Sequence, residues 1–210
     1  MELAMGMQEG CVSVVDDDAL VLRSLGRLLE SRGFAVQTFS SAQEFLERSE
    51  RAVPGCIVMD LSMPGLNGLE LQAALAEARD SRPVVFISGR GSVSSSVEAM
   101  KAGALDFLTK PLDEEKLIGA VQVALAKDRA AQGQRAQHAS ITSRLATLTL
   151  RERQVLGRVV EGKLNKQIAA ELGTAEKTIK VHRARMMRKM QVDSLAELVR
   201  AWTLTQPPQI

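Results

Sequence analysis

Cys56-Ile57-Val58-Met59-Asp60-Leu61-Ser62-Met63-Pro64-Gly65-Leu66-Asn67-Gly68 sets the reading of the fold. Four successive apolar residues are too few for a helix, and their lack of alternation suits a strand buried on both faces. A carboxylate closes the run, and the pairs Pro64-Gly65 and Asn67-Gly68 punctuate the loop behind it. The same pattern recurs on either side. Cys11–Val15 ends in Asp16, Asp17 and Asp18; Phe34–Phe39 alternates; Val84–Ile87 ends in Ser88; Ala104–Thr109 ends in Lys110-Pro111. Helical spacing fills the gaps: Leu20, Val21, Leu25, Leu28 and Leu29 before a Gly33 stop, Ser41–Arg51 with Ser41 as N-cap, Leu69 to Ala78, Ser92–Ala102, and Asp113–Lys127. Five strands, each followed by a helix, predict an α/β domain over residues 10–127, with a parallel five-stranded sheet between helical layers. Ligands of such folds sit at the carboxyl ends of the strands.

The chain has 210 residues, 45% of them apolar and 25% charged. These values exclude collagen-like, wholly disordered and disulfide-scaffold classes. No apolar run approaches the roughly 18 residues of a membrane span. Met1 to Gly10 lacks a basic, then apolar leader, and the two cysteines, Cys11 and Cys56, read as reduced, buried and structural. A cytoplasmic protein without membrane contact is expected. The net charge of +2 hides an asymmetry, with twelve Lys+Arg against eighteen Asp+Glu up to residue 127 and fifteen against seven beyond it. An acidic half joined to a basic half suggests two domains with different partners, the basic one a polyanion binder. Residues 128–147 are rich in Ala, Gln and Arg and read as a linker, partly helical because Ala and Gln favour helix. From residue 148 to 205 the pattern is helical throughout, and Pro207-Pro208 ends it.

The strand ends converge chemistry on one rim: Asp16 and Asp17 from the first strand, Asp60 from the third, Ser88 from the fourth and Lys110 from the fifth. Carboxylates ~4 Å apart repel by about 4 kcal/mol at an effective dielectric of 20, so the cluster needs a cation. An all-oxygen donor set with few carboxylates suits Mg²⁺, which keeps waters and room for phosphate oxygens. Lys110 and the Ser88 hydroxyl can hold further phosphoryl oxygens, and one carboxylate can act as nucleophile to form an acyl phosphate. Singly, Asp16–Asp18 is a helix cap, Lys110-Pro111 a turn and Phe107 a core residue. The Asp16-x-Asp18 pair also matches the D-x-D of haloacid-dehalogenase-like phosphatases, but Leu20 stands where their threonine belongs.

In the basic half, Asn165–Gly173 ends in a glycine suited to close a helix, and Thr174 can cap the next helix, Ala175 to about Met190. On a helical wheel Lys177, Lys180, Val181, Ala184, Arg185 and Arg188 share one face, and Ile179, His182, Met186 and Met190 share the opposite one. Helix, glycine turn and a helix with one basic and one apolar face describe a helix-turn-helix. About 15 residues at 1.5 Å each give a rod of some 22 Å, able to lie in a major groove.

Val14-Val15-Asp16-Asp17-Asp18, Met59-Asp60-Leu61-Ser62-Met63-Pro64-Gly65, Ile87-Ser88-Gly89 and Lys101-Ala102-Gly103-Ala104-Leu105-Asp106-Phe107-Leu108-Thr109-Lys110-Pro111 together resemble the receiver domain of two-component response regulators. That resemblance implies a flavodoxin-like (βα)₅ fold in which Asp60 is phosphorylated by a sensor histidine kinase. It further implies that Asp17, Asp60 and the Ser62 carbonyl ligate Mg²⁺, with Asp16 acting through water. Ser88 and Phe107 would form the switch pair, and Lys110-Pro111 a cis peptide. Ser88 stands where threonine is usual but keeps the hydroxyl. Leu148-Thr149-Leu150-Arg151-Glu152-Arg153-Gln154-Val155-Leu156, Gly162–Ala169 and Thr178-Ile179-Lys180-Val181-His182-Arg183 resemble the LuxR/NarL/FixJ effector domain, most nearly the FixJ type. This implies a four-helix all-α domain over 148–205, whose third helix enters double-stranded promoter DNA and whose fourth can pack in a dimer. Lys180 and Val181 would read bases; Asn165, Lys166 and Thr178 are phosphate candidates, and Lys177, Arg185 and Arg188 join them on the basic face. Ala184 stands where some relatives carry lysine. The expected protein is a transcription regulator, not an enzyme beyond its own phosphoryl transfer and hydrolysis. Phosphorylation would reshape the surface of the fourth helix, fifth strand and fifth helix, promoting a homodimer and DNA binding, with RNA polymerase as a further possible partner.

Overall fold

The computed structural model describes residues 10–50, 53–89 and 93–205. Residues 1–9, the expected helix limits at Arg51 and Ser92, and the Pro207-Pro208 terminator lie outside them. The chain divides into two compact units, one ending at Gln132 and the other beginning at Gly133.

The first unit alternates strand and helix: β1 (Cys11–Val15), α1 (Ala19–Ser31), β2 (Ala35–Phe39), α2 (Ala42–Arg48), β3 (Gly55–Asp60), α3 (Gly68–Glu77), β4 (Val84–Ser88), α4 (Val93–Lys101), β5 (Asp106–Thr109) and α5 (Glu114–Ala146). The strands form one parallel sheet in the order β2-β1-β3-β4-β5. The order reverses between β1 and β3, and at such a switch point the outgoing loops part and leave a crevice.

The period-two rule distributes the apolar residues. Val12, Val14, Cys56, Val58, Val85 and Ile87 face one core, completed by Leu25 and Leu29 of α1 and Leu117 and Val121 of α5. Val15, Ile57, Met59 and Phe86 face the other, closed by Phe45, Leu71 and Leu75. Each such fully buried side chain is worth roughly 1.5–3 kcal/mol of transfer free energy. Every residue of β3 is buried. Local signals set the helix limits: Asp18 caps α1 by accepting from the Leu20 N–H at 2.7 Å, and Gly33 takes φ +84° just past its end. Asn67 and Glu70 form a reciprocal capping box on α3.

Three differences from the sequence reading have local causes. Ala104 and Leu105 precede β5 because Ala104 N–H closes back on Ala99 O, and the ladder with β4 begins only at Val85–Asp106. Cys11 is half-buried and not buried, as the first residue of its strand. In the stretch 128–147, read as a partly helical linker, the helix that begins at Glu114 runs on to Ala146.

The second unit carries α6 (Leu150–Val160), α7 (Asn165–Glu171), α8 (Glu176–Met190) and α9 (Leu195–Thr205). Its core gathers Leu156, Ile168, Ile179, Met186, Met190 and Leu198 with Ile141 from the end of α5. Thr149 caps α6 in a box with Glu152. Gly173 at φ +62° follows the Leu172 C-cap of α7, and Thr174 N–H bonds back to Ala169 O. Ala175 occupies the N-cap of α8 and has no side chain to cap it.

Candidate functional site

At the switch point, β1 delivers Asp16 and β3 delivers Asp60, both nearly removed from solvent, at 1% and 5% exposed. Lys110, following β5, reaches between them. Its Nζ lies 2.8 Å from Asp16 Oδ2 and 2.9 Å from Asp60 Oδ1. The remaining carboxylate oxygens take backbone donors: Asp18 N–H to Asp16 Oδ1 at 2.9 Å, and Ser62 N–H to Asp60 Oδ2 at 2.7 Å. Burial pushes the Asp16 carboxyl upward, against the pull of the Lys110 hydrogen bond and the Asp18 N–H. Burial alone would lower the Lys110 ammonium, yet hydrogen bonds to Asp16 and Asp60 outweigh it and raise its pKa. One ammonium thus offsets two crowded carboxylates.

Ser88, 1% exposed, ends β4, and its carbonyl accepts from Lys110 N–H at 2.8 Å. The Lys110-Pro111 peptide is cis. Phe107 is half-buried, its ring 6.5 Å from that of Phe86 and packed against the second core. Asp17 and Ser62 are exposed beside the buried pair. Close approach behind the site depends on Gly68, where a Cβ would stand 2.6 Å from the Asp60 carbonyl oxygen.

The structure brings Asp16, Asp60 and Lys110 together. Among the described residues it gathers no three His, Cys, Asp or Glu side chains as a metal cage. The donor chemistry still fits Mg²⁺, which commonly takes one or two carboxylates, keeps several waters and does without an all-protein cage. Asp16 and Asp60, with Asp17 and the Ser62 carbonyl adjoining, are the residues that could hold it. Cys56 plays no part: burial pushes its thiol up to about 12, so it stays protonated and inert.

On the second unit Lys177, Thr178, Lys180, Val181, Arg185 and Arg188 are all exposed on α8, while Ile179, Met186 and Met190 are buried. Lys180 meets Glu176 one turn earlier at 3.2 Å. Lys166 is exposed at the start of α7, and Asn165 beside it accepts from Arg183 of α8 at 3.3 Å. His182 is half-buried on the inner side. Arg183 was given no role in the sequence reading because it falls between the two wheel faces. Glu152 was given no role either, although its spacing from Thr149 is a capping-box signature. It is 3% exposed, accepts from Thr149 N–H at 2.8 Å, and binds Lys189 Nζ of α8 at 2.6 Å.

Comparison with known proteins joins the two halves. Residues 12–122 match the response regulator receiver domain, and residues 146–202 match the luxR family of bacterial regulatory proteins. The chain is 43% identical over 196 residues to the response regulator protein TmoT of Ectopseudomonas mendocina, covering 93% of this chain and 89% of that protein. It is 42% identical over 192 residues to the transcriptional regulatory protein FixJ of Bradyrhizobium diazoefficiens, covering 91% and 94%. Among solved structures, the response regulator StyR is similar at a TM-score of 0.86 and 44% identity, over 92% of this chain and 98% of that one. No helix among the described residues is long and apolar enough to cross a membrane. The chain belongs to the FixJ-like two-component response regulators, which regulate transcription through a receiver domain joined to a LuxR-type helix-turn-helix DNA-binding domain.

Proposed function

We propose that Asp60 is the phosphoacceptor and that its phosphorylation by a sensor histidine kinase turns on dimerisation and binding to promoter DNA. The observation that carries this reading is the Lys110 ammonium shared between Asp16 and Asp60 at 2.8 and 2.9 Å. A carboxylate oxygen of Asp60 attacks phosphorus, the new O–P bond replaces the P–N bond of a phosphohistidine, and the histidine nitrogen keeps the electron pair. Lys110 transfers its contact from the Asp60 oxygen to a phosphoryl oxygen, and the Ser88 hydroxyl donates to another. Asp17, Asp60 and the Ser62 carbonyl, with Asp16 acting through water, would hold Mg²⁺, which when bound would neutralise charge on the phosphoryl oxygens.

Phe107 reads the state of Ser88 by turning inward, which reshapes the surface of α4, β5 and α5. Shifting such an equilibrium from 1:99 to 99:1 needs about 5.5 kcal/mol of differential stabilisation, a reasonable yield from one phosphoryl group plus dimerisation. In the second unit α8 enters the major groove with Lys180 and Val181 at the bases. Asn165, Lys166, Lys177, Thr178, Arg185 and Arg188 hold phosphates, and α9 is available for pairing. RNA polymerase is then a further partner of the bound dimer.

The test combines Mg²⁺ with a small phosphodonor or beryllofluoride, reading acyl-phosphate labelling, oligomeric state and DNA affinity at fixed salt. Wild type should label at Asp60, dimerise and bind DNA more tightly, and Asp60→Asn should do none of these. Full labelling of Asp60→Asn removes Asp60 as acceptor.

A further inference from the structure

Asp128 is a buried carboxylate that phosphoryl chemistry does not use, 3% exposed and at the opposite end of β3 from Asp60. It lies on the inward face of α5, where Leu117, Val121, Ala124 and Leu125 are buried in the first core. The spacing makes the next inward position 128, and there a carboxylate replaces a hydrocarbon. Beyond it, residues 133–140 of α5 are all exposed, and the following buried side chain, Ile141, belongs to the second unit's core. Asp128 is thus the last buried position of α5 on the receiver side.

Its partner explains the choice of residue. Asp128 Oδ2 accepts from the N–H of Gly55, the first residue of β3, at 2.9 Å, and also from the Gln132 amide one helical turn onward. Gly55 can carry no side chain, since a Cβ there would stand 1.9 Å from the Cys11 carbonyl oxygen. A buried N–H left without an acceptor is costly, so this contact fixes the helix to one point on β3. An apolar residue could pack there, but it would leave the N–H unpaired and the register of α5 unspecified. β3 begins at this contact and ends at Asp60, and all six of its residues are buried.

We propose that Asp128 is a positioning residue, the clamp by which the receiver grips α5 and through which its activation state reaches the DNA-binding unit. This rests on the phosphorylation reading above. The clamp does not touch the reacting atoms, so its loss should leave phosphorylation intact and weaken its consequence. Asp128→Leu fills the core position and breaks the bond to Gly55; Asp128→Asn keeps an acceptor oxygen and serves as the rescuing variant.

In the full-length protein, labelling of Asp60 and DNA affinity without activation should match wild type in both variants. The tightening of DNA binding by Mg²⁺ and beryllofluoride should fall about tenfold in Asp128→Leu and persist in Asp128→Asn, a change within the usual range of coupling between sites. Undiminished tightening in Asp128→Leu overturns the proposal, as does an equal loss in Asp128→Asn. Hydrogen exchange read at Gly55 and along residues 126–136, without phosphodonor, supplies a second measurement. Faster exchange in Asp128→Leu alone supports the clamp, and unchanged exchange overturns it. If wild-type DNA binding ignores beryllofluoride, the phosphorylation reading fails, and exchange alone decides whether the clamp exists.

Discussion

Gly68 is confined to glycine by space. A Cβ would meet the Asp60 carbonyl oxygen at 2.6 Å and the Phe86 ring at 2.8 Å. Neither can yield cheaply, because one is backbone of a central strand and the other is a fully buried side chain. Gly68→Ala is expected to destabilise by about 1–3 kcal/mol, the usual range for overpacking, measured from the denaturant midpoint. Because the clash falls on the backbone of Asp60 itself, the rate of labelling by a small phosphodonor should fall as well. Ala175 offers the opposite case. It sits at the N-cap of α8 with extended backbone and no capping side chain. Ala175→Ser should stabilise the protein by roughly 0.5–1 kcal/mol, seen as a higher midpoint for the second unit, with no change in labelling of Asp60. The sequence suggested Thr174 for this position. What it did not reveal was that α8 starts one residue later, at Glu176, which puts Ala175 and not Thr174 at the N-cap.

At the scale of elements, α8 is held from behind at its C-terminal end. Lys189 binds Glu152 of α6 and the Thr147 carbonyl, and Arg144 donates to the Met190 carbonyl at 3.1 Å. The Lys189 hydrogen bond, followed by that from Thr149 N–H, holds the Glu152 carboxyl below its ordinary value of 4.5. A carboxyl depressed by folding stabilises the native state above its unfolded pKa. That contribution is fully present above about pH 5 and is lost as pH falls through the lower native pKa. Glu152→Gln should therefore cost about 1.5–3 kcal/mol at neutral pH, in the range of hydrogen bonds to charged groups. It should also flatten the decline of second-unit stability below pH 4.5, which denaturation at several pH values will show. Strand runs are local chemistry and were legible, and the Thr149–Glu152 capping box, equally local, was passed over. The partner of Glu152 was not, since Lys189 lies 37 residues away and only packing of α6 on α8 brings them together.

For the whole molecule, the charge asymmetry translates into salt dependence. The exposed cations of α7 and α8 predict DNA affinity that falls steeply with salt, by roughly 0.9 in log K per log salt for each phosphate neutralised. Lys177→Ala should reduce that slope by about one unit and weaken binding evenly across DNA sequences, whereas Val181→Ala should change which sequences bind, both read by titration at several salt concentrations. The amino-acid sequence by itself determined the order of strands and helices, the carboxylates and lysine at the strand ends, and the basic face of α8. It could do so because hydrophobic period and turn chemistry act over a few neighbouring residues. Tertiary structure alone decided that Lys110 bridges Asp16 and Asp60, that Gly55 and Gly68 have no room for a side chain, and that Asp128 grips β3. Most of those contacts join residues tens of positions apart, and their geometry exists only once the sheet has assembled and excluded water from between them.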